Sequence, residues 1–174
     1  MLSTNHNRET FLYKFIEDID ENILENIKNI FLNNLPDTNN FFIPVQLGIK
    51  EFIGLEVTHS ILIFARPQRR SGIHVDYRAD KLKLALNIPL KNCNDSITEF
   101  WDSGGTEPEH SITSINVPYK SYKIENCQQI AEFRLTKPVI FNTKIPHSVN
   151  NLSNKPRLAI SLRFKEDPWH LVGL

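Results

Sequence analysis

The first hydrophobic pattern along the chain is a stripe that recurs at helical spacing from about residue 9 to residue 35. Its members stand mostly three or four positions apart, and charged residues fill many of the positions between them. The stripe consists of Phe11, Phe15, Ile19, Ile23, Ile27, Ile30 and Phe31. Pro36 ends it, because proline disfavours helix at the residue before it. We therefore predict a helical N-terminal region over 9–35, as one helix or as two with a break near Asp20, packed on the outside of a sheet.

Beyond Asn40 the pattern changes to short apolar runs separated by turn residues, which is typical of an all-β domain. The runs predict strands at 41–47, 53–57, 60–65, 72–76, 82–90, 96–101, 114–120, 130–135, 139–142, 148–150 and 157–164. Too few helical segments connect them for a parallel α/β sheet, so we predict a mainly β barrel of the jelly-roll or cupin kind over about 41–165. The turn-rich run 102–111 is predicted to be a mobile loop.

Two of the predicted strands have one aliphatic face and one small or polar face. The small or polar positions are Ala85, Asn87 and Pro89 on the first strand, and Arg157, Ala159, Ser161 and Arg163 on the second. The aliphatic faces suit packing beneath the N-terminal helices, and the opposite faces would then line a barrel interior that holds a site. An ordinary sheet with its polar face in water gives the same alternation. The sequence leaves both interpretations open.

Length, charge and cysteine content limit the class of protein. With 174 residues the chain is expected to form a single domain over 1–174 with a substantial core. Lys and Arg number 20, as do Asp and Glu, so no overall positive charge attracts nucleic acid or an anionic membrane. Two cysteines without a paired motif, and a polar start without an apolar run, are typical of a reduced cytoplasmic protein. No apolar run approaches the roughly 20 residues that span a bilayer.

The chemistry-bearing residues begin with His74 and Asp76. Separated by one position on an extended segment, their side chains point to the same side, where an imidazole nitrogen and a carboxylate oxygen can bind one metal ion. His147, 71 residues after Asp76, is the natural third ligand. Two histidines and one carboxylate form the facial triad of non-heme Fe(II) oxygenases. Arg157 follows ten residues later, and its planar guanidinium suits clamping a carboxylate with two hydrogen bonds.

In this order, on a β-rich chain with an N-terminal helix, these residues resemble the Fe(II)- and 2-oxoglutarate-dependent oxygenases. The fold of that family is the double-stranded β-helix, a jelly-roll variant. Small microbial and viral members are similar in two further strings, Leu86-Asn87-Ile88-Pro89-Leu90 and Pro146-His147-Ser148-Val149-Asn150 followed by Arg157-Leu158-Ala159-Ile160-Ser161-Leu162-Arg163-Phe164. The resemblance covers about residues 73–164, just over half of the chain, and indicates no substrate.

The resemblance implies a role for each matched residue. His74, Asp76 and His147 would form the catalytic metal site and bind Fe(II), and Arg157 would hold the remote carboxylate of 2-oxoglutarate. O2 is the further co-substrate, ascorbate an accessory reductant, and succinate and carbon dioxide the co-products. Related halogenases replace the carboxylate ligand with a small residue. Because Asp76 is present, we expect hydroxylation, or an oxidation that follows from it, of a small molecule or of an amino-acid side chain in a protein.

Three further residues are expected to support the co-substrate. Arg163 is the alternative anchor, six residues or roughly 20 Å along the strand from Arg157. We prefer Arg157 because we expect it nearer the metal end of the strand, with Arg163 in an ion pair with Glu166 or Asp167. Ser161 and Asn87 are secondary candidates for hydrogen bonds to 2-oxoglutarate.

Substrate contacts are assigned to residues expected at the barrel mouth or in the pocket lining. These are Tyr77, Arg78 and Trp101. A short basic cluster of Arg66, Arg69 and Arg70 fits a solvated loop and would gain importance if the substrate were anionic.

Two other functions fit parts of the pattern. A cupin-type metalloenzyme that does not use 2-oxoglutarate would keep the metal, although such cupins mostly use three histidines and a glutamate, and the sequence has no His-x-His pair. A non-catalytic jelly-roll binding module would leave the triad without a role. The expected partner is a small-molecule substrate or a protein side chain, with no nucleic acid and no membrane. Oligomeric state is left open.

Overall fold

The fold consists of two antiparallel β-sheets that face each other. The structure, a computed structural model, describes residues 7–34, 45–76, 82–112 and 118–174. Its strands are β1 (Tyr13–Phe15), β2 (Val45–Gln46), β3 (Glu51–Phe52), β4 (Leu55–Ala65), β5 (Arg69–Arg70), β6 (Ile73–Asp76), β7 (Leu84–Lys91), β8 (Ser96–Asp102), β9 (Glu109–Ile112), β10 (Pro118–Tyr122), β11 (Gln128–Arg134), β12 (Val139–Asn142), β13 (His147–Asn151) and β14 (Arg157–Phe164). Its helices are α1 (Glu21–Asn34) and α2 (Trp169–Val172), with a 3₁₀ turn at Ile124–Asn126. Among the described residues, no helix combines the length and apolar character needed to cross a membrane.

Strand order identifies the winding of the barrel. The major sheet runs β1-β12-β7-β14-β4-β2, with β3 paired to β4, and the minor sheet runs β11-β8-β13-β6-β10-β9, with β5 paired to β13. Eight of these strands form nested antiparallel pairs, β4 with β14, β6 with β13, β7 with β12 and β8 with β11. Such nesting across two sheets is the jelly-roll winding. The predicted double-stranded β-helix of the cupin kind is therefore confirmed.

The outer face of the major sheet packs beneath the helices, as the aliphatic faces predicted. Its buried side chains on β7 and β14 are Leu84, Leu86, Ile88, Leu158, Ile160, Leu162 and Phe164. The side chains that α1 and α2 pack against them include Leu24, Ile27, Phe31 and Val172. Removing this apolar surface from water is the largest favourable contribution to folding.

The barrel interior, which the inner faces of β7 and β14 help to line, has two parts. The apolar part is a cluster that includes Ala85, Phe100, Phe133, Phe141 and Ala159. The other part is a cavity whose lining includes Asn87, Arg157, Ser161 and Arg163. Of the two interpretations of the alternating strands, the one in which the small and polar faces line the barrel interior is therefore confirmed.

The predicted helix over 9–35 is wrong in its first half. Tyr13–Phe15 is strand β1, which pairs with β12 at the edge of the major sheet. The rings of Tyr13 and Phe15 both contact Phe133, at centroid distances of 4.7 and 5.9 Å, and two side chains on one face require the two-residue period of a strand. α1 begins only after Asp20, whose Oδ1 accepts a hydrogen bond of 2.8 Å from the backbone N–H of Asn22, as an N-cap does.

Several strand boundaries also differ from the prediction. Residues 53–57 and 60–65 largely belong to the single strand β4, and the predicted loop 102–111 ends in β9, which pairs with β10. The sequence did not predict β5 or β9 because both are short and polar, without the apolar alternation that marks the interior strands. Residues 41–44 and 114–117 of the predicted strands lie outside the described residues.

Ile160 tests the importance of the major-sheet core. It is fully buried and pairs with Leu62 on β4 and Ile88 on β7. Ile160→Ala should lower the free energy of unfolding by about 2–5 kcal/mol, because it removes apolar contacts and leaves a cavity. Ile130→Ala on β11, where the side chain is 46% exposed, is the matched control, with an expected change below about 1 kcal/mol. Urea denaturation measures both, and equal losses would contradict this assignment of the core.

Candidate metal centre

The three predicted metal ligands meet where β6 pairs with β13. His74 and Asp76 lie on β6, His147 is the first residue of β13, and the two histidines are register partners. One possible ligand atom from each of the three residues lies within 4.8 Å of the other two. The two imidazole rings have centroids 4.5 Å apart. Strand pairing thus brings one cluster together from two distant parts of the chain.

Backbone carbonyl groups orient both histidines. Nδ1 of His74 lies 2.9 Å from the carbonyl oxygen of Gly72, and Nδ1 of His147 lies 3.0 Å from that of Ile145. A carbonyl oxygen only accepts, so Nδ1 donates in each ring, and Nε2 of a neutral ring keeps its lone pair. Metal-binding histidines are held in the same way by a hydrogen bond from the second nitrogen. Both Nε2 atoms are therefore suited to bind an ion.

The two carboxylate oxygens of Asp76 have different surroundings. Oδ1 lies 3.6 Å from Nε2 of His74, while Oδ2 accepts a hydrogen bond from Nη2 of Arg163. Burial acts to raise the pKa of Asp76, but the charges of Arg163, His147 and His74 outweigh it and lower the pKa below its usual value. Asp76 is therefore an ionised carboxylate with one oxygen beside the ligand cluster and the other held by Arg163.

His147 is buried, and burial is the main cause that lowers its pKa to about 4. The neighbouring His74 acts in the same direction, while Asp76 opposes it. The His147 imidazole is consequently neutral at physiological pH, which is the form that binds metals.

The donor set fits a divalent metal ion. Two imidazole nitrogens and one carboxylate oxygen on one side of a site are the facial triad typical of non-heme Fe(II), and they leave coordination positions open for other molecules. Carbonyl groups orient both imidazoles and Arg163 orients the carboxylate, so the ligands are held before any ion binds.

A cavity of about 340 Å³ adjoins the cluster and is lined by all three ligand residues. The four residues predicted to support the co-substrate, Asn87, Arg157, Ser161 and Arg163, line the same cavity. Residues for which no site role was predicted also line the cavity, and they include Thr98, Phe141 and Val149. Their inward direction follows from strand alternation, but only the sheet pairing shows which inward residues reach the cavity and which reach the apolar cluster.

The expectation that Arg157 lies nearer the metal end of β14 is wrong. Arg163 contacts Asp76, and Arg157 lies six residues earlier on the same extended strand, roughly 20 Å away along the backbone. The hydrogen-bonded partner of Arg163 is therefore Asp76 and neither Glu166 nor Asp167. The carboxylate of Asp167 instead accepts hydrogen bonds from the backbone N–H groups of Lys83 and Leu84.

Arg157 is a buried cation with donors to spare. Its side chain is among the largest that are fully buried, and its Nε and Nη2 have no hydrogen-bond partner in the described part of the chain. Burial lowers the pKa of Arg157, and the adjacent Cys93 opposes that shift. Removing a charge from water without a partner costs several kcal/mol. Such a guanidinium at the edge of a cavity is typical of a site for an anion.

Trp101 is not among the residues that line the cavity, and its predicted contact with substrate stays a prediction. Successive residues of β8 alternate, and Phe100 points into the apolar cluster, so Trp101 points to the outer face of the minor sheet. There its indole Nε1 donates a hydrogen bond of 3.0 Å to Oγ of Ser148, and the Arg70 guanidinium lies 5.5 Å from the ring centroid. Tyr77 and Arg78 lie outside the described residues.

Tyr119 is a neighbour of the metal ligands that no sequence motif indicated. It is the register partner of Asp76 on β10, and its ring centroid lies 5.9 Å from that of His74. Only the pairing of β10 with β6 brings it there.

Comparison with known proteins adds little to this geometry. No family model matches the chain, and no curated protein sequence matches it. Among solved structures, oxalate decarboxylase from Bacillus subtilis at pH 4.6 is similar at 13% sequence identity and a TM-score of 0.31, over 63% of this chain and 21% of that one. A mutant of the same enzyme gives 12% identity and a TM-score of 0.32, over 63% and 22%. The chain spans about a fifth of the length of these proteins, and a likeness this distant carries no argument about activity. Topology and ligand geometry by themselves give a cupin-type barrel whose His-Asp-His cluster fits a divalent metal.

Proposed function

We propose that the protein is an Fe(II)- and 2-oxoglutarate-dependent oxygenase that hydroxylates, or otherwise oxidises, a small molecule or an amino-acid side chain. One observation carries the proposal. A single cavity has the His74, Asp76 and His147 cluster at one end and, elsewhere in its lining, the buried guanidinium of Arg157 with unpartnered donors. A co-substrate that binds metal at one end and presents a carboxylate at the other matches both features.

His74 and His147 would hold Fe(II) through Nε2, and Asp76 would hold it through Oδ1. Bound Fe(II) supplies, with 2-oxoglutarate and O2, the oxidising chemistry that yields succinate and carbon dioxide. Arg163 keeps Oδ2 of Asp76 hydrogen-bonded and so fixes the plane of the carboxylate. Arg163 is thus a positioning residue for the ligand rather than the anchor of the co-substrate.

Arg157 binds the remote carboxylate of 2-oxoglutarate through its unpartnered Nε and Nη2 donors. Two parallel hydrogen bonds from one guanidinium fix both the position and the direction of a carboxylate. Ser161 and Asn87 line the same cavity and offer a hydroxyl O–H and an amide N–H as further donors to the co-substrate. The Phe141 ring, 5.2 Å from that of His147, excludes water from one side of the ligands.

Two other functions are compatible with the fold. A cupin-type metalloenzyme that does not use 2-oxoglutarate needs the same metal ligands, and a non-catalytic jelly-roll module needs neither metal nor co-substrate. The binding module gives no role to a buried guanidinium whose donors lack partners, whereas a cupin enzyme would need a carboxylate substrate of its own to occupy Arg157. The first two experiments below separate all three.

Metal binding should depend on Asp76. Asp76→Ala removes the only carboxylate of the cluster and should weaken binding of Mn(II), a redox-stable probe, by at least about 100-fold in isothermal titration calorimetry. Arg163→Ala should weaken it by about 10- to 100-fold through loss of ligand orientation. His110→Ala, at an exposed position of β9, is the matched histidine control and should leave affinity unchanged. Unaltered Mn(II) affinity in Asp76→Ala would remove the metal site from the proposal.

Co-substrate use should depend on Arg157. With Fe(II), ascorbate and 2-oxoglutarate under air the wild type should form succinate, and N-oxalylglycine should raise its melting temperature. Arg157→Ala should weaken binding of both 2-oxo acids by at least about 100-fold, because it removes a charge-assisted bidentate contact. Arg134→Ala, at an exposed arginine of β11, should behave like wild type.

The outcomes of these two experiments distinguish the three functions. Metal binding without succinate formation or an N-oxalylglycine shift would point to the cupin enzyme that does not use 2-oxoglutarate. Absence of both metal and analogue binding would leave the binding module.

The metal-free protein should lose stability as the pH falls from 6.5 to about 4. The unfolded chain protonates His147 near the ordinary histidine pKa of 6.5, whereas the folded protein holds the pKa of His147 at about 4. Protons therefore favour the unfolded state within this window, by up to roughly 3 kcal/mol from this one residue. Urea denaturation of chelator-treated protein between pH 7 and pH 4 measures the loss. The slope should be smaller in His147→Gln and unchanged in His110→Gln, and an identical slope in all three proteins would contradict the assignment.

A further inference from the structure

We propose that the primary substrate is a small anion whose carboxylate or phosphate group is bound by Arg69 at the rim of the cavity. The inference rests on the proposed function and names the substrate class for the same site. The rim is the exposed stretch of the lining formed by Arg66, Arg69, Arg70 and Ser71.

The lining is strongly cationic. Five arginines and a single carboxylate, Asp76, are among its lining residues, whereas the chain as a whole carries no net charge. The five are Arg66, Arg69, Arg70, Arg157 and Arg163. Glu99 offsets the charge of Arg70 on the outer face of the minor sheet, which leaves four arginines against Asp76. Several like charges along one cleft create a local potential that attracts anions. This excess of positive charge is larger than the binding of one 2-oxoglutarate carboxylate requires.

Other tasks account for three of these arginines. Arg163 is hydrogen-bonded to Asp76, and Arg157 is assigned to the co-substrate. Nη2 of Arg70 donates a hydrogen bond of 2.8 Å to Oε1 of the buried Glu99, and its guanidinium stacks on Trp101. Arg66 has an interaction of its own. Within the described residues, Arg69 is thus the cation of the lining that makes no hydrogen bond or ion pair.

Strand alternation directs Arg69 toward the cavity. β5 pairs with β13, where Arg70 lies opposite Asn150 and Arg69 lies opposite Asn151. Arg70 reaches Glu99 on the outer face of the minor sheet, so Arg69 belongs to the inner face, the face of His147 and Val149. Its exposed side chain therefore extends over the opening of the cavity.

The backbone that carries Arg69 is held on both sides. The N–H of Gln68 donates a hydrogen bond of 3.0 Å to the carbonyl of Ser153, and Oγ of Ser71 accepts one of 2.8 Å from the N–H of Val149. The Arg70–Glu99 contact fixes the intervening strand. A rigid backbone lowers the entropic cost of placing the guanidinium on a ligand.

The chemistry of the guanidinium selects the class of substrate. Its planar fork pairs with the two oxygens of a carboxylate or a phosphate, and it stays charged at all physiological pH values. A cavity of about 340 Å³ that also accommodates 2-oxoglutarate leaves room for a small molecule or one side chain only. We therefore assign a small organic acid or phosphate ester as the substrate.

In the test, the metal and co-substrate sites are occupied before a substrate probe is added. Protein saturated with Mn(II) and N-oxalylglycine is titrated by calorimetry with matched probes, N-acetylglycine against N-acetylglycinamide and glycerol 3-phosphate against glycerol. An anionic probe should bind at least tenfold more tightly than its neutral counterpart. Arg69→Ala should weaken that binding at least tenfold more than it weakens N-oxalylglycine binding, and Arg69→Lys should give an intermediate loss. Arg134→Ala is the control and should match wild type.

Each outcome bears on the inference. Preference for N-acetylglycine assigns a carboxylate substrate, and preference for glycerol 3-phosphate assigns a phosphate ester. Equal binding of charged and neutral probes, no binding of either anion, or no effect of Arg69→Ala while N-oxalylglycine still binds, would overturn the anionic class and leave the oxygenase function standing. Failure of wild-type protein to bind N-oxalylglycine would overturn the oxygenase function and this inference together.

Discussion

The site depends on the antiparallel pairing of β6 with β13, which places His74 opposite His147. Register partners on one face have neighbouring side chains, and a slip of one residue would turn the β13 side chain to the outer face of the minor sheet. Neighbouring residues keep this register. Ser148 and Glu99 are partners on the outer face and share a hydrogen bond of 2.8 Å, and Ser71 binds the backbone of Val149. Polar contacts beside the ligands therefore specify the geometry that strand pairing alone would leave free to shift.

The two inward arginines of β14 differ in how far a carboxylate compensates their burial. Arg163 is compensated by Asp76, and this ion pair also sets the direction of a metal ligand. Arg157 is more deeply buried, yet two of its donors lack a partner in the described chain. A buried charge without a compensating partner lowers the stability of the fold. The rest of the barrel must therefore be stable enough to offset this loss. A function that supplies a carboxylate at that point explains why a cation occupies the position at all.

The sequence predicted the features that depend on local spacing. Inward and outward faces of β7 and β14 follow from a period of two, and the His-x-Asp pair needs only an extended segment. Features that depend on partner strands were missed or wrong. The N-terminal stripe satisfied helical spacing, but β1 gains more by adding Tyr13 to the rings around Phe133. Likewise Tyr119 reaches His74 only through β10. Arg163 rather than Arg157 meets Asp76 because that end of β14 faces β6 across the barrel interior, from the opposite sheet.

The divided interior reconciles stability with the charged site. On one side, the rings of Phe100, Phe133 and Phe141 form an apolar cluster continuous with Ala85 and Ala159. On the other, the same strands present Asn87, Ser161 and Arg163 to the cavity. The short side chains at positions 85 and 159 leave space for the rings, and the rings in turn support His147 through Phe141. A dry half of the barrel thus holds the ligands from behind, so that the polar half can keep unpartnered groups without collapsing onto them.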